Sequence, residues 1–247
     1  MDNQTTNKVA IVTGASRGIG RTVAIQIAKL GITTIINYNT NKEEAQKVEK
    51  EINFNGGTAL AIQADISKLE DLEKLFEQTI EAYGKVDILI NNAGLMINNP
   101  ISTVSEEEFD RHFAINVKGT YFACQQAMKH MQNGGRIVNF STSVTGAMFP
   151  AYSVYAASKG AVEQITRQLA KEFGVKGIRI NAIAPGPVKT ELFMKGKSEE
   201  QIAMLSKMNS FGRLGETEDI ADVIELLVSD KANWITGQTI KVNGGFI

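Results

Sequence analysis

A tyrosine and a lysine stand four residues apart in the run Tyr155-Ala156-Ala157-Ser158-Lys159, and a helical pattern continues beyond them. Residues four apart lie on one face of a helix, so the phenol and the ammonium can point to the same place. Reduction of a ketone needs a proton donor at the carbonyl oxygen, and oxidation of an alcohol needs a base there. The pair therefore predicts proton exchange at a carbonyl or alcohol oxygen.

The lysine has a specific purpose in this interpretation. An unperturbed tyrosine has a pKa of about 10 and is a poor base at neutral pH. A cation roughly 4 Å away, at an effective dielectric constant near 20, favours the phenolate by about 4 kcal/mol, or about three pKa units. We therefore expect Lys159 to lower the pKa of Tyr155.

The four-residue spacing alone is weak evidence, because Tyr38 and Lys42 repeat it without a hydroxyl upstream. The first pair differs because Ser143 stands twelve residues before its tyrosine, where an apolar strand-like run ends. Its hydroxyl could orient the substrate oxygen. Ser141 and Thr142 are neighbouring hydroxyls, and the sequence does not exclude them.

A glycine-rich loop, Thr13-Gly14-Ala15-Ser16-Arg17-Gly18-Ile19-Gly20, joins the first apolar run to a helical pattern. Glycines there allow a tight turn and a close approach of the backbone to a pyrophosphate, while the helix N-terminus favours its charge. Placement directly between a strand and a helix makes the motif informative. The residues predicted to bind a dinucleotide here are Gly14, Ser16, Arg17, Gly18, Ile19 and Gly20.

The end of the second strand indicates which dinucleotide binds. NAD enzymes carry an acid there, which hydrogen-bonds the ribose 2′-hydroxyl and would repel a 2′-phosphate. Here the strand ends Tyr38-Asn39-Thr40 without an acid, and Arg17 in the glycine loop could meet a phosphate. We predict that NADP(H) is favoured over NAD, with Tyr38, Asn39 and Thr40 lining its site, although the nearest following cation is Lys42.

Apolar runs alternate with amphipathic segments along the chain, and the runs are apolar throughout, as a sheet covered on both faces requires. This alternation predicts an α/β protein: one Rossmann-like domain over residues 1–247 with a doubly wound parallel sheet of about seven strands and helices on both faces. The predicted strands are Val9–Thr13, Ile32–Asn37, Thr58–Gln63, Val86–Asn91, Arg136–Ser141, Ile178–Ala184 and Thr239–Val242. The predicted helices are Ile19–Leu30, Lys42–Asn53, Leu69–Tyr83, Glu106–Met131, Tyr152–Phe173 and Glu218–Val228.

A long segment at about 186–213 has no clear strand, and segments of that length are often binding loops. Its apolar residues suit either a helix with a core face or a cover over a ligand, and both interpretations stay open. They are Leu192, Phe193, Met194, Met204, Leu205, Met208 and Phe211. Another apolar group precedes the tyrosine, and with residues 192–208 it favours an apolar or aromatic carbonyl substrate, unless these residues form core or a subunit interface. It comprises Met96, Met148, Phe149, Pro150 and Tyr152.

Composition excludes several classes of protein. The 247 residues carry a net charge of −1 without a basic run, which disfavours nucleic-acid binding. No window approaches the roughly 20 apolar residues of a membrane span, and the polar opening segment Asp2 to Lys8 disfavours a signal peptide. We expect a cytoplasmic protein. Cys124, the only cysteine, is expected in the core.

Hydrolytic chemistry has no support in the sequence. His112 and His130 are the only histidines, they lack metal-site spacing, and both are predicted to be ordinary helix-surface residues. We therefore predict no metal. The serine-hydrolase motif Gly-x-Ser-x-Gly is also absent. The remaining rival is a catalytically idle dinucleotide-binding sensor or regulator, which would tolerate loss of Ser143, Tyr155 and Lys159.

Together the motifs resemble the short-chain dehydrogenase/reductase family in its small single-domain form, over nearly the whole chain. The motifs are Thr13-Gly-x-x-x-Gly-x-Gly20, Asn91-Asn92-Ala93-Gly94, Asn116, Ser143, Tyr155-x-x-x-Lys159 and Pro185-Gly186. Residues Asn181–Phe193 and Val242–Phe246 are similar to those of 3-oxoacyl-carrier-protein reductases and trihydroxynaphthalene-reductase-like enzymes. The chain departs from these in lacking a basic residue directly after the second strand.

The resemblance implies a role for each matching residue. Tyr155 would be the general acid/base, Ser143 would position the substrate oxygen, Lys159 would also bind the nicotinamide ribose, and Asn116 would support a proton-relay water. The resemblance further implies a homotetramer and hydride exchange between NADP(H) and a carbonyl or alcohol. The other residues implied to contact the cofactor are Asn92, Ala93 and Gly94 along it, Asp65 and Ile66 at the adenine, and Pro185, Gly186, Val188 and Thr190 beside the nicotinamide.

Overall fold

A computed structural model of the protein describes residues 7–247; residues 1–6, which hold most of the polar opening segment, lie outside it. Seven parallel strands form one sheet in the order β3-β2-β1-β4-β5-β6-β7. The strands are β1 Val9–Val12, β2 Thr33–Tyr38, β3 Ala59–Gln63, β4 Ile88–Asn91, β5 Arg136–Phe140, β6 Arg179–Pro185 and β7 Thr239–Val242. The predicted doubly wound, single-domain α/β fold is confirmed.

Helices cover both faces of the sheet. They are α1 Gly18–Lys29, α2 Lys42–Phe54, α3 Leu69–Tyr83, α4 Glu106–His112, α5 Thr120–His130, α6 Ser153–Gly174, α7 Glu191–Met194, α8 Glu199–Ser206 and α9 Thr217–Val228. Apolar side chains of α1, α2 and α9, such as Ile27, Val48 and Ile224, form one core, and those of α3, α5 and α6, such as Phe76, Ala127 and Phe173, form the other. All residues of β1, β4 and β6 are buried, which explains why most of their side chains are apolar.

The strand order reverses between β1 and β4, because the chain first builds outward to β3 and then returns. In such sheets the carboxyl ends of the strands on either side of the reversal leave a crevice that holds ligands. The glycine loop follows β1, and the Asn92-Ala93-Gly94 segment follows β4. The fold therefore brings both predicted cofactor segments to this crevice.

The predicted helix over 106–131 is bent rather than regular. A capping box of Ser105 and Glu108 starts α4, a π-helical stretch spans Phe113–Gly119, and α5 resumes at Thr120. The Thr120 hydroxyl donates to the Asn116 carbonyl at 2.9 Å within the bend. The wider turn reorients the side chains at its centre, and Asn116 lies there.

Three smaller expectations have different outcomes. Cys124 is buried, as predicted. The 186–213 segment contains two short helices, α7 and α8, so it is not an irregular loop. The prediction for His112 is wrong: it is only 1% exposed, because its ring packs against the segment after β4, where Ile97 N donates to it, whereas His130 is exposed. Within residues 7–247 no helix is long and apolar enough to span a bilayer.

Candidate active site

Tyr155 and Lys159 lie on the first two turns of α6, and both line a cavity at the carboxyl ends of β5 and β6. We call this the tyrosine cavity; it is also lined by Thr142, Ser143 and Phe246. Tyr155 keeps some exposure to the cavity, while Lys159 is only 4% exposed. The helical spacing thus places both predicted groups at one cavity.

Lys159 is held by a backbone carbonyl. Its Nζ donates to the oxygen of Phe140, the last residue of β5, at 2.7 Å. Burial removes water from the ammonium and lowers the pKa of Lys159 to about 8. The side chain is therefore held in one orientation, and its charged form is less favourable than in water.

The expected lowering of the pKa of Tyr155 is wrong. Burial raises the pKa of Tyr155 to about 12, a hydrogen bond with Thr142 opposes the increase, and the nearby Tyr152 adds to it. The spacing argument omitted burial, which penalises the phenolate, and it assumed a lysine directed at the phenol rather than at Phe140. At neutral pH the Tyr155 phenol is protonated and can donate.

Ser143 lines the same cavity, but its hydroxyl is engaged elsewhere. Its Oγ donates to the Ala184 carbonyl of β6 at 3.0 Å and accepts a hydrogen bond from Asn243 Nδ2 at 2.9 Å. The residue is 1% exposed. The predicted positioning hydroxyl thus joins the end of β5 to β6 and to the segment after β7.

Asn116 uses its amide to connect three segments. Its Oδ1 accepts from Leu95 N at 2.8 Å, and its Nδ2 donates to Leu95 O at 2.9 Å and to Ser158 Oγ at 3.0 Å. The side chain therefore fixes the segment after β4 against α6. Its role in a proton relay stays a prediction.

The glycine loop has the shape that close backbone approach requires. Gly14 and Gly18 have φ values of +63° and +55°, in the left-handed region that favours glycine. A Cβ at Gly20 would lie 2.6 Å from the Gly14 carbonyl oxygen, so a side chain there would push the loop open. Asn37, at the end of β2, supports the turn because its Oδ1 accepts from Gly14 N at 3.4 Å.

The start of α1 lacks the capping groups that several other helices of this chain have. Its N-cap residue Arg17 provides no side-chain cap, and no acid stands in the first turn. By contrast α2, α4 and α8 have capping side chains and acids in their first turns. The amides and the positive end of the α1 dipole are left for an anion, so this loop fits the pyrophosphate of a dinucleotide.

Most of the remaining predicted cofactor residues line a cleft beside the glycine loop, which we call the glycine-loop cleft. These are Gly14, Ser16, Arg17, Gly18, Ile19, Tyr38, Asn39, Thr40, Asp65, Ile66, Asn92, Ala93, Gly94 and Thr190. Pro185, Gly186 and Val188 line the tyrosine cavity instead. Ile19, Asn92, Gly94 and Thr190 line both, so the two spaces adjoin and could hold the two ends of one long ligand.

Arg17 and Asp65 already have protein partners in this cleft. Arg17 forms an exposed ion pair with Glu191 of α7 at 3.3 Å. Asp65 Oδ1 accepts from the amide and the hydroxyl of Ser67, and the N-cap position of α3 belongs to Lys68. Asp65 is therefore not the N-cap residue of α3.

Sequence reasoning missed His112 as part of the site. Its Nε2 accepts from Ile97 N at 3.1 Å, its Nδ1 lies 2.8 Å from the Glu108 carbonyl, and its ring centroid is 6.5 Å from that of Tyr155. His112 thus anchors the segment after β4 beside the phenol. One feature of the sequence could have indicated this position. His112 precedes Asn116 by four residues, so the two lie on one helix face.

Glu163 of α6 was also missed. Its Oε1 accepts hydrogen bonds from Ser141 Oγ at 2.5 Å and from Thr145 Oγ1 at 2.8 Å. It therefore fixes the turn that carries Thr142 and Ser143. The only indication in the sequence is that Glu163 follows Tyr155 by eight residues on the same helix.

Comparison with known proteins agrees with this geometry. The family model described as enoyl-(acyl carrier protein) reductase matches residues 14–247. A versicolorin reductase of Emericella nidulans is 39% identical over 253 residues, covering 96% of this chain and 95% of the relative. The hydroxynaphthalene reductase-like protein Arp2 of Metarhizium robertsii is 39% identical over 256 residues, covering 98% and 96%.

Solved structures show the same fold. The ketoreductase LanV with bound NADP superimposes with a TM-score of 0.93 at 37% identity, covering 98% of this chain and 96% of LanV. A second LanV structure, with bound NADP and rabelomycin, gives a TM-score of 0.88 over the same shares at the same identity. The chain therefore belongs to the short-chain dehydrogenase/reductase family of NAD(P)-dependent oxidoreductases, which act on alcohol and carbonyl groups.

Proposed function

We propose that this protein is an NADPH-dependent reductase of bulky apolar or aromatic ketones. The observation that carries the proposal is a continuous aromatic wall leading to Tyr155. Phe246 stacks on Phe149 with centroids 5.9 Å apart, Phe149 lies 5.8 Å from Tyr152, and Tyr152 lies 6.4 Å from Tyr155. A flat apolar substrate lying along this wall would bring its carbonyl to the phenol.

The rest of the tyrosine cavity has the same character. Leu95 and Met96 follow β4, while Leu192, Phe193 and Leu205 come from the α7–α8 segment. Burial of apolar substrate surface against such residues contributes roughly 25 cal/mol per Å². Met148 is fully exposed, and Met204 and Met208 are also largely exposed, so only part of the predicted apolar set faces the cavity. The versicolorin reductase and LanV with rabelomycin are relatives whose names fit this substrate class.

The residues of this chain have distinct tasks in the proposed reaction. NADPH, when bound, supplies the hydride. The glycine loop and the start of α1 hold its pyrophosphate, and Lys159, fixed by the Phe140 carbonyl, is available to a ribose hydroxyl. Tyr155 donates the proton to the carbonyl oxygen. The pKa of about 12 keeps this phenol protonated at neutral pH, which is the state that a proton donor needs.

A substrate panel tests the proposal. With NADPH and the full chain, a fused-ring aromatic ketone should give a kcat/KM at least about 100-fold higher than acetone, because it buries far more apolar surface. A strict preference for small polyols would contradict the substrate class. Dinucleotide binding without hydride transfer to any ketone, aldehyde or alcohol in the panel would favour an idle sensor.

The preference for NADPH depends on Arg17 in this proposal. We expect Arg17→Ala to lower kcat/KM for NADPH about 10- to 100-fold and to leave NADH nearly unchanged, because a charge-assisted hydrogen bond contributes about 1.5–3 kcal/mol. Its exposed ion pair with Glu191 costs little to break. Arg167→Ala, an exposed arginine of α6, is the matched control. Equal losses with both dinucleotides, or a wild-type preference for NADH, would refute this role.

The homotetramer that the resemblance implies and the cytoplasmic location that the sequence composition favours both stay predictions.

A further inference from the structure

The segment that follows β4, residues 94–100, forms neither helix nor strand, yet it carries Leu95 and Met96 into the lining of the tyrosine cavity. Backbone groups in such a segment have no neighbouring strand to pair with, so they need other hydrogen-bonding partners. Three polar side chains on α4 and on the π-helical bend after it contact this segment. They determine where this part of the cavity lining lies.

The three contacts follow a regular spacing, in which helix residues four apart meet segment residues two apart. The contacts, at 2.8–3.1 Å, are Asn116 with Leu95, His112 with Ile97 and Glu108 with Asn99. Four helical residues rise about 6 Å, and two residues of extended chain rise about 6.4–6.8 Å. The segment therefore runs antiparallel along one helix face, and we call the three contacts the side-chain ladder.

His112 provides the central contact of the side-chain ladder, and it does so as a neutral ring. Its Nδ1 lies 2.8 Å from the Glu108 carbonyl oxygen, which can only accept, so Nδ1 carries the proton. Its Nε2 lies 3.1 Å from the Ile97 amide, which can only donate, so Nε2 keeps its lone pair. His112 is 1% exposed, so this hydrogen bond forms where few water molecules could replace it.

The same ring lies beside Tyr155, with the ring centroids 6.5 Å apart and the ring planes at 61°. Both nitrogens of His112 are already engaged, one with Ile97 and the other with Glu108. Neither nitrogen is therefore free to exchange a proton with the phenol or with a ligand. Any influence of His112 on a substrate must act through the segment that it holds.

We infer that His112 determines how tightly this protein binds bulky ketones, as a positioning residue that fixes Leu95 and Met96 in the cavity lining. The inference rests on the proposed reductase function. A ketone large enough to reach Leu95 and Met96 loses apolar contact when their segment moves away. A small ketone held at Tyr155 touches less of this lining, so it should depend on His112 less.

Two substitutions separate the ring of His112 from its acceptor nitrogen. His112→Phe keeps an aromatic ring beside Tyr155 but leaves the Ile97 amide without an acceptor. The KM for the best fused-ring ketone should rise about tenfold, with kcat within about threefold of wild type. His112→Gln loses the ring but keeps an oxygen that can accept from Ile97 N, so its KM should stay within about threefold of wild type. The KM for acetone should change less than about threefold in both variants.

Asn99→Ala tests the side-chain ladder without changing a buried residue, and it decides the question if His112→Phe does not fold. It removes the contact with Glu108, so the KM for the fused-ring ketone should rise about two- to tenfold at unchanged kcat. His130→Phe is the matched control for the histidine variants. His130 is exposed and lines neither the tyrosine cavity nor the glycine-loop cleft, so this variant should keep wild-type constants.

The Kd of the same ketone, measured by calorimetry on the full chain with NADP, should follow the same pattern as KM and needs no turnover. A wild-type KM and Kd in folded His112→Phe would overturn the inference and leave the reductase function standing. Equal increases in His112→Phe and His112→Gln would also overturn it, because the ring rather than the acceptor would then matter. An inactive wild type whose Kd for the ketone still rises in His112→Phe alone would refute the proposed function and support the positioning role.

Discussion

Tyr155→Phe is expected to lower kcat for ketone reduction by about 10²- to 10⁴-fold while the protein stays folded. The variant removes only the proton donor, and general acid catalysis contributes rate factors of that size. The phenyl ring keeps its contacts with Tyr152 and His112, so packing is preserved. Single-turnover rates with NADPH measure the chemical step, and circular dichroism with a thermal melt reports the fold.

Tyr83→Phe provides the matched control for this variant. Tyr83 ends α3, is only partly buried, and lines neither the tyrosine cavity nor the glycine-loop cleft. It should keep wild-type kcat, and both variants should keep the wild-type Kd for NADPH within a few-fold. Near-normal turnover in Tyr155→Phe would mean that another group protonates the substrate oxygen.

The parts of the site that local sequence determines were predictable. The glycine loop follows β1 directly, and one helix carries both Tyr155 and Lys159, so spacing and element type were sufficient to place them. The fold was predictable for a similar reason. Strands covered on both faces are mostly apolar, and β1, β4 and β6 are buried over their whole length.

The choice among the hydroxyls of residues 141–143 depends on distant partners. Ser143 is held by Ala184, 41 residues later, and by Asn243, 100 residues later. His112 depends likewise on the backbone of Ile97, after β4. Spacing within a single helix or strand cannot predict contacts between such distant residues. The sequence analysis therefore could not choose among the three hydroxyls, and it placed His112 on the surface.

The electrostatic prediction failed for a related reason. The four-residue spacing indicates how far the phenol lies from the ammonium. It does not indicate how much hydration the two groups lose when the chain folds. In the structure burial dominates, raising the pKa of Tyr155 and lowering that of Lys159. Each group is driven toward its neutral form, so the pair suits proton donation from the phenol more than abstraction by it.

Lys159→Met should therefore change activity and stability in opposite directions. Activity should fall by about 10- to 100-fold, because a hydrogen bond from a charged donor contributes about 1.5–3 kcal/mol. At pH 7 the variant should be as stable as wild type or more stable, because methionine avoids the cost of burying an ammonium. Loss of the hydrogen bond to the Phe140 carbonyl offsets about 1.5–3 kcal/mol of that gain.

The pH dependence of unfolding identifies the cause. The folded pKa of Lys159 is about 8 and its ordinary value is 10.5, so between these pH values the unfolded chain binds more protons than the folded one. The Lys159 contribution to wild-type stability must rise over that window, by about 2 kcal/mol from pH 7 to 9.5. Urea unfolding at pH 7 and at pH 9.5 measures the free energy of unfolding at both ends of the window. Relative to Lys159→Met, this free energy should rise with pH for wild type and equally for the control Lys171→Met.

Parallel profiles for wild type and Lys159→Met would show that the ammonium is not destabilised in the folded protein. The pKa argument would then fail, whatever the effect on activity. If the profiles diverge as expected, the buried Lys159 destabilises the folded protein at neutral pH. Methionine at this position would then make the protein more stable. Packing does not explain that residue, whereas the proposed hydrogen bond to a ribose hydroxyl would, because a donor removed from water binds a ligand oxygen more strongly than a solvated one.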